Sequence, residues 1–120
     1  MSKYQELDVW KISMQLVQEV YKLTKEYPRE ELYNLTSQTK RAAVSIPSNI
    51  AEGIGRNHKK DTIQFLYVAR GSLYELQTLL ELALMNSVIN HNQVEHVSII
   101  LVQNLKVLNG FINYMEKSQT

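Results

Sequence analysis

Four stretches of the chain carry apolar residues at three- and four-residue steps, which is the spacing of a helix with one buried face. They run from about Leu7 or Asp8 to Tyr27, from Glu31 to Glu52, from Lys60 to Asn86, and from Asn92 toward the C-terminus. No stretch alternates apolar and polar residues convincingly, so we expect essentially no strand. The pattern predicts an all-α fold, a single domain over residues 1–120 built as an up-down-up-down four-helix bundle.

The first predicted helix is apolar over an unusually wide arc, about 160° at 100° per residue. The arc is made by a seam and the residues beside it: Leu7, Trp10, Met14, Val17, Tyr21 and Thr24, with Val9, Leu16, Val20, Leu23 and Tyr27. This is wide for a surface helix of a monomer, whose outer face is polar. We interpret Trp10 and the seven tyrosines as core or interface residues.

The second predicted helix contains a proline, Pro47, in the middle of its apolar pattern. Proline has no N–H for the Ala43 carbonyl and its ring crowds that carbonyl, at a cost of roughly 3 kcal/mol. We therefore expect a kink at Pro47, with the hydroxyl of Ser45 or Ser48 bonded to the freed carbonyl. Gly53 is a natural stop for this helix.

The third and fourth predicted helices contain three features that need an explanation. Gly71 lies in mid-helix, where it costs about 1 kcal/mol against alanine, and we expect it to meet Ala42 of the second helix. Arg70 falls on the apolar seam, so we expect a structural role, paired with carbonyls or with an acid such as Glu75. Asn92, with Glu95 three residues later, predicts the start of the fourth helix.

Composition agrees with a small globular domain. The chain has 120 residues, 44% hydrophobic and 21% charged. Its apolar runs are far shorter than the roughly 18 residues that suggest a membrane-spanning helix, and the N-terminus lacks the apolar core of a signal peptide. We therefore expect a cytoplasmic protein without a membrane partner. The absence of cysteine excludes disulfides and thiolate metal sites.

Motifs for catalysis and metal binding are missing from the sequence. It has no cysteine nucleophile, no Gly-x-Ser-x-Gly and no phosphate-binding glycine loop. Helix bundles that hold metal pairs use Glu-x-x-His motifs, and no glutamate here has a histidine three residues later. His91, Glu95 and His96 cluster around the predicted start of the fourth helix, but without a third strong ligand they favour a solvated helix start over a metal site. We expect no enzyme activity, cofactor or metal.

Positive charge gathers in the centre of the chain. Residues 1–37, 38–60 and 61–120 carry net charges of −1, +4 and −2, which add to the total of +1. The central residues that could grip phosphates are Lys40, Arg41, Arg56, His58, Lys59 and Lys60. A cluster of this size is commonly just a solvated loop, but in a ring of subunits the charges would form a continuous basic surface.

Four segments together resemble the bacterial four-helix-bundle family encoded in 23S rRNA intervening sequences. They are Leu7–Lys11, Tyr33–Gln38, Arg41–Gly53 with its Ala-Val-Ser-Ile-Pro-Ser-Asn-Ile-Ala-Glu-Gly block, and Phe65–Leu76. The resemblance covers nearly the whole chain. It implies a left-handed bundle that assembles as a ring-shaped homopentamer, which would explain the wide apolar arc of the first helix.

The resemblance also implies a class of partner. A related branch, the accessory variability protein of diversity-generating retroelements, binds nucleic acid and reverse transcriptase through a strongly basic surface. This chain is near neutral, and Asn34 stands where a glycine is usual. We therefore expect a non-enzymatic oligomeric scaffold whose central hairpin contacts RNA or DNA weakly and without sequence preference. The alternative is a protein-interaction module, with a partner such as a reverse transcriptase, in which the charge is incidental.

Overall fold

The computed structural model describes residues 3–118, and these residues form four long helices and no strand. The helices are α1 (Asp8–Thr24), α2 (Ser37–Ile54), α3 (Lys59–Met85) and α4 (His91–Lys117). Helix α1 packs against α2 and α4, and α3 packs against the same two helices, so the order around the bundle follows the chain. The predicted all-α four-helix bundle is confirmed. It is elongated, 48 × 23 × 21 Å.

The core lies along the centre of the bundle and takes residues from all four helices. Among the largest fully buried side chains are Leu16, Ile46, Ile50, Leu66, Leu73, Leu76 and Leu108. Met14 and Tyr21 of the predicted α1 seam are 40% and 39% exposed, whereas the buried residues of α1 are Val9, Ser13, Leu16, Val20, Leu23 and Thr24. The wide apolar arc of α1 is therefore only half used by the core of its own chain.

The segment between α1 and α2 differs from the prediction. Helix α1 ends at Thr24, and the chain then continues through a 3-10 turn at Arg29–Glu31 and a π-helical turn at Leu32–Thr36. A π turn holds an extra residue, which rotates the residues before it relative to the helix that follows. Leu32 and Leu35 are three residues apart, a spacing that would put both on one face of a regular helix, yet Leu32 is 45% exposed while Leu35 is buried.

The start of α4 also differs, by two residues. The N-cap is Asn90 instead of Asn92, and Asn90 forms a reciprocal capping box with Gln93. The Gln93 amide N–H donates to Asn90 Oδ1 (2.9 Å), and the Asn90 amide N–H donates to Gln93 Oε1 (2.8 Å). Gln93 Nε2 also donates to Glu26 after α1 (2.8 Å), a tertiary contact that helps to favour this cap.

Helix α2 passes through Pro47 without interruption, as predicted. The hydroxyls beside it bond elsewhere than expected: Ser48 Oγ donates to the Val44 carbonyl (2.8 Å), and Ser45 Oγ shares a hydrogen bond with Ser72 of α3 (2.8 Å). Ser48 lies one turn beyond Val44, so that carbonyl is the nearest one its hydroxyl reaches. The bond between Ser45 and Ser72 instead joins α2 to α3.

The expected kink at Pro47 leads to a prediction about assembly. Replacing Pro47 with alanine restores an N–H to α2 and should straighten the helix with little loss of helix content. Pro47 also lines an apolar groove on the surface between α1 and α2, so we expect assembly to suffer more than folding. Light scattering measures the oligomer mass, and circular dichroism provides the folding control. Equal oligomer mass for Pro47→Ala and the parent would contradict this prediction.

The expected roles of two glycines are corrected. Gly53 does not stop α2, which continues to Ile54 and is followed by Gly55 at φ −77°. A Cβ on Gly53 would lie 2.8 Å from Phe65 Cβ and 3.1 Å from the Thr62 carbonyl oxygen, so Gly53 is required for close packing against α3. Gly71 has open space around its Cβ position and does not meet Ala42, because it faces outward on α3.

Arg70 has a pairing role, as expected, but the partner is different. Its Nη1 donates to Asn109 Oδ1 of α4 (3.0 Å), and its guanidinium lies 4.8 Å from the centre of the Tyr67 ring. Glu75 was the suggested partner. The spacing of five residues turns Glu75 away from Arg70 on the helix, whereas Asn109 lies across the contact between α3 and α4.

Candidate nucleic-acid interface

Four of the six predicted basic residues lie together at one end of the bundle, where α2 connects to α3. Arg56 follows the end of α2, His58 is the N-cap of α3, and Lys59 and Lys60 open its first turn. Arg56, His58 and Lys60 are exposed, and Lys59 is half-buried. We call Arg56, His58, Lys59 and Lys60 the basic link.

The basic link is positioned by a tight contact just behind it. Gly53 lies against Phe65, and the Thr62 hydroxyl donates to the Gly53 carbonyl in a buried hydrogen bond of 2.7 Å. The Thr62 amide N–H donates to the His58 carbonyl (3.1 Å) and begins the hydrogen bonding of α3. These bonds tie the last turn of α2 to the first turn of α3, so the link has little freedom to move relative to the bundle.

Two charges of the basic link are engaged by their own chain. Arg56 pairs with Glu52 at 3.1 Å, and its guanidinium lies 4.6 Å from the centre of the Phe65 ring. The Lys59 ammonium donates to the backbone carbonyl of Ser118, after α4. Within residues 3–118, Lys60 has no ion-pair partner. The basic link of one subunit therefore presents less unpaired positive charge than its four basic residues suggest.

Lys40 and Arg41 are not part of this cluster. They lie near the start of α2, about 22–24 Å from Arg56 along the helix at 1.5 Å per residue. The Lys40 ammonium lies 4.8 Å from the centre of the Tyr21 ring of α1, and Arg41 is exposed. Proximity in the sequence placed all six residues on one hairpin, but the length of α2 separates Lys40 and Arg41 from the basic link.

The end of α4 contributes residues that the charge pattern did not point to. Lys117 adds a cation and Glu116 an acid at the same end of the bundle as the basic link. The Tyr67 hydroxyl donates to the Glu116 carboxylate, and this hydrogen bond raises the pKa of Tyr67. The up-down-up-down order was the available signal, because it brings the end of α4 beside the start of α3.

A second surface feature is an apolar groove between α1 and α2. We call it the α1–α2 groove, and its lining is Tyr4, Trp10, Met14, Val17, Val44, Pro47, Ser48 and Ala51. The Tyr4 and Trp10 rings meet edge to face, with centroids 5.5 Å apart. Met14 and Val44 are each 40% exposed. The groove contains Trp10, Met14 and Val17 of the α1 apolar arc, whereas the exposed Tyr21 is not part of its lining.

The described residues offer no site for metal chemistry. Within residues 3–118, no group of three or more His, Cys, Asp or Glu side chains lies close enough together to hold a metal ion. His96 instead lies 3.5 Å from Glu19 of α1, a contact between helices. None of the described helices is both long enough and apolar enough to cross a membrane.

Comparisons with known proteins agree with the geometry of the bundle. The family model described as 23S rRNA-intervening sequence protein matches residues 5–110. A similar solved structure is a protein of unknown function from the S23 ribosomal protein family of Bacteroides thetaiotaomicron VPI-5482, with a TM-score of 0.79 and 25% identity. The match covers 87% of this chain and 97% of that one. No curated protein gives a significant match.

Proposed function

Because the chain belongs to the 23S rRNA-intervening sequence protein family, we propose that it is a non-enzymatic scaffold that assembles with itself. The assembly is a homopentameric ring, and its repeated basic links hold RNA or DNA weakly and without sequence preference. The observation that carries the proposal is the amount of apolar surface left outside the bundle core, since such surface marks contact with another molecule.

The exposed apolar residues lie on all four helices and in the turn before α2. They include Met14, Tyr21, Tyr33, Val44, Val68, Tyr74, Met85, Ile99, Val102 and Tyr114. Single exposed apolar residues are normal on a soluble protein. Here, however, Met14 and Val44 line one continuous groove, which supports self-assembly as the first property of this scaffold.

Repetition supplies the nucleic-acid affinity that one subunit lacks. Each link presents Lys60 and His58 to solvent, while Glu52 and the Ser118 carbonyl engage Arg56 and Lys59. A ring brings five basic links to one face of the assembly, where their positive electrostatic fields add. Contacts of this kind reach phosphates and do not distinguish bases, so binding is independent of sequence.

Binding of a fluorescent rRNA fragment across a salt series tests the nucleic-acid part of the proposal. Neutralising phosphates releases counterions, so the logarithm of the affinity should fall linearly with the logarithm of the salt concentration. Lys60→Gln should weaken binding and flatten this slope. The matched control is Lys106→Gln, an exposed lysine in the middle of α4, which should bind like the parent. No binding at low salt, or an affinity indifferent to salt, would reject nucleic-acid binding.

A second candidate is a protein-interaction module that does not bind nucleic acid. It is favoured by the exposed apolar residues at the end of the bundle opposite the basic link, where Leu32 is 45%, Tyr33 93% and Met85 74% exposed. In this case a partner retained by the parent should survive nuclease treatment and be lost with Tyr33→Ser. Loss of the same partner on nuclease treatment would support the scaffold for nucleic acid instead.

A further inference from the structure

We propose that copies of this chain pack side by side through two different surfaces. The outer face of α3 of one copy is seated in the α1–α2 groove of the next. The α3 outer face is defined here as Val68, Gly71, Tyr74 and Glu75. The inference rests on the proposed self-assembly and adds which two surfaces form the contact. Because the two surfaces differ, the contact can repeat around a ring instead of stopping at a dimer.

The α3 outer face carries a glycine that its own chain does not explain. Gly71 lies in mid-helix, where it costs about 1 kcal/mol against alanine. No neighbouring atom lies within 4 Å of its Cβ position, so nothing in the described chain requires its small size. Val68 and Tyr74, three residues to either side, are 44% and 48% exposed. A small residue between two exposed apolar ones allows another backbone to approach closely.

The groove and the α3 outer face lie at the same height along the bundle. The hydrogen bond between Ser45 and Ser72 sets the register of α2 against α3, which run in opposite directions. Counting from that pair places Val44 level with Leu73, and Arg41 level with Leu76. In a ring whose axis runs along the bundle, surfaces that meet on neighbouring copies lie at equal height, and Val68 to Glu75 satisfy this condition for the groove.

Charge is complementary at the same height. Arg41 is exposed on the outer side of α2, three residues before Val44 of the groove, and Glu75 is exposed on α3, one turn after Gly71. Within residues 3–118 neither forms an ion pair. Across the proposed contact Arg41 of one copy meets Glu75 of the next. Opposite charges at the rim of an interface favour the correct pairing of surfaces.

Helix α4 is the competing face, because Ile99 and Val102 are 53% and 58% exposed and Gly110 also has open space. Lys106 interrupts that face between Val102 and Gly110. Burying its ammonium against the apolar groove would cost free energy without a paired acid. The α3 outer face has an acid at its edge and no cation of this kind, so it is the better fit.

The two outward glycines provide a matched experiment. Gly71→Glu and Gly110→Glu both place the same side chain in open space in mid-helix, so neither should destabilise the subunit. Gly71→Glu should raise the dissociation constant of the oligomer about tenfold or more, about 1.4 kcal/mol, because it places a charge in the apolar contact. Gly110→Glu should assemble like the parent. Mass is measured by light scattering over a dilution series, with thermal melts as the control for folding.

The outcomes separate this inference from the proposed function. A parent that is a monomer at every concentration rejects self-assembly itself. If the parent assembles and Gly71→Glu assembles equally well, only the contact through the α3 outer face is rejected. The same holds if Gly110→Glu weakens assembly as much as Gly71→Glu does. A charge exchange adds a second check: Arg41→Glu and Glu75→Arg should each weaken assembly by about fivefold, and the double variant should recover it. No recovery in the double variant overturns the pairing of Arg41 with Glu75.

Discussion

Replacing Gly53 with alanine is expected to lower the free energy of unfolding by about 1–3 kcal/mol, the usual cost of overpacking a tight contact. The new Cβ would lie 2.8 Å from Phe65 Cβ and 3.1 Å from the Thr62 carbonyl oxygen. Neither atom is the end of a flexible side chain, so the two helices must move apart. That movement also strains the 2.7 Å hydrogen bond from Thr62 to the Gly53 carbonyl.

Gly55→Ala is the matched control, two residues later in the same turn. Its Cβ would meet only the carbonyl oxygens of Glu52 and Ala51, at 3.6 and 3.7 Å, which is ordinary contact. With φ at −77°, Gly55 has a backbone conformation that alanine adopts easily. Because alanine lowers the conformational entropy of the unfolded chain, the free energy of unfolding of this variant should rise by about 0.4–1 kcal/mol. Urea unfolding at one protein concentration measures the free energy of unfolding of both variants and of the parent. Equal stability of the two variants would contradict the close contact at Gly53.

The second large effect is expected at Asn104, in the middle of α4. Its side chain is 0% exposed, and neither its Nδ2 nor its Oδ1 has a hydrogen-bond partner within residues 3–118. A buried polar group left unsatisfied costs about 1–3 kcal/mol. Asn104→Leu keeps a similar volume and removes both polar atoms, so we expect the free energy of unfolding to rise by about 2 kcal/mol.

The control for Asn104 is Asn113→Leu, an exposed position on the same helix. Surface substitutions of this kind change stability by no more than about 0.5 kcal/mol. A midpoint of urea unfolding that rises for Asn104→Leu, with an unchanged slope, would confirm a gain in stability. If Asn104→Leu instead lowers the midpoint, the Asn104 amide has hydrogen-bond partners in solution, and loss of these bonds destabilises the variant.

The helices could be predicted because their cause is local. A three- and four-residue apolar period, few breaks and short links specify four amphipathic helices, and such helices bury their faces best against one another. The starts and ends of the helices were less predictable. The cap at Asn90 instead of Asn92 gains from Gln93 reaching Glu26 of another element, and the π turn before Ser37 changes which of Leu32 and Leu35 faces inward.

The candidate site was predicted in part. The basic link was visible as a charge excess, but its pairing was not, because Arg56 meets Glu52 one helical turn earlier and Lys59 meets Ser118 from a distant part of the chain. Lys40 and Arg41 were grouped with the link by sequence position, and the length of α2 separates them. In the sequence, only the wide apolar arc of the first helix indicated the α1–α2 groove.

The sequence by itself determined the helices, the bundle and the membership of the family, since periodicity and a specific block around Pro47 are properties of the linear chain. Only the tertiary structure decided which glycine is packed and which is open. Gly53 and Gly71 look alike in the sequence, yet one touches Phe65 and the other faces outward. The reason is that a helix presents each residue to one direction, and the neighbour in that direction comes from another part of the chain.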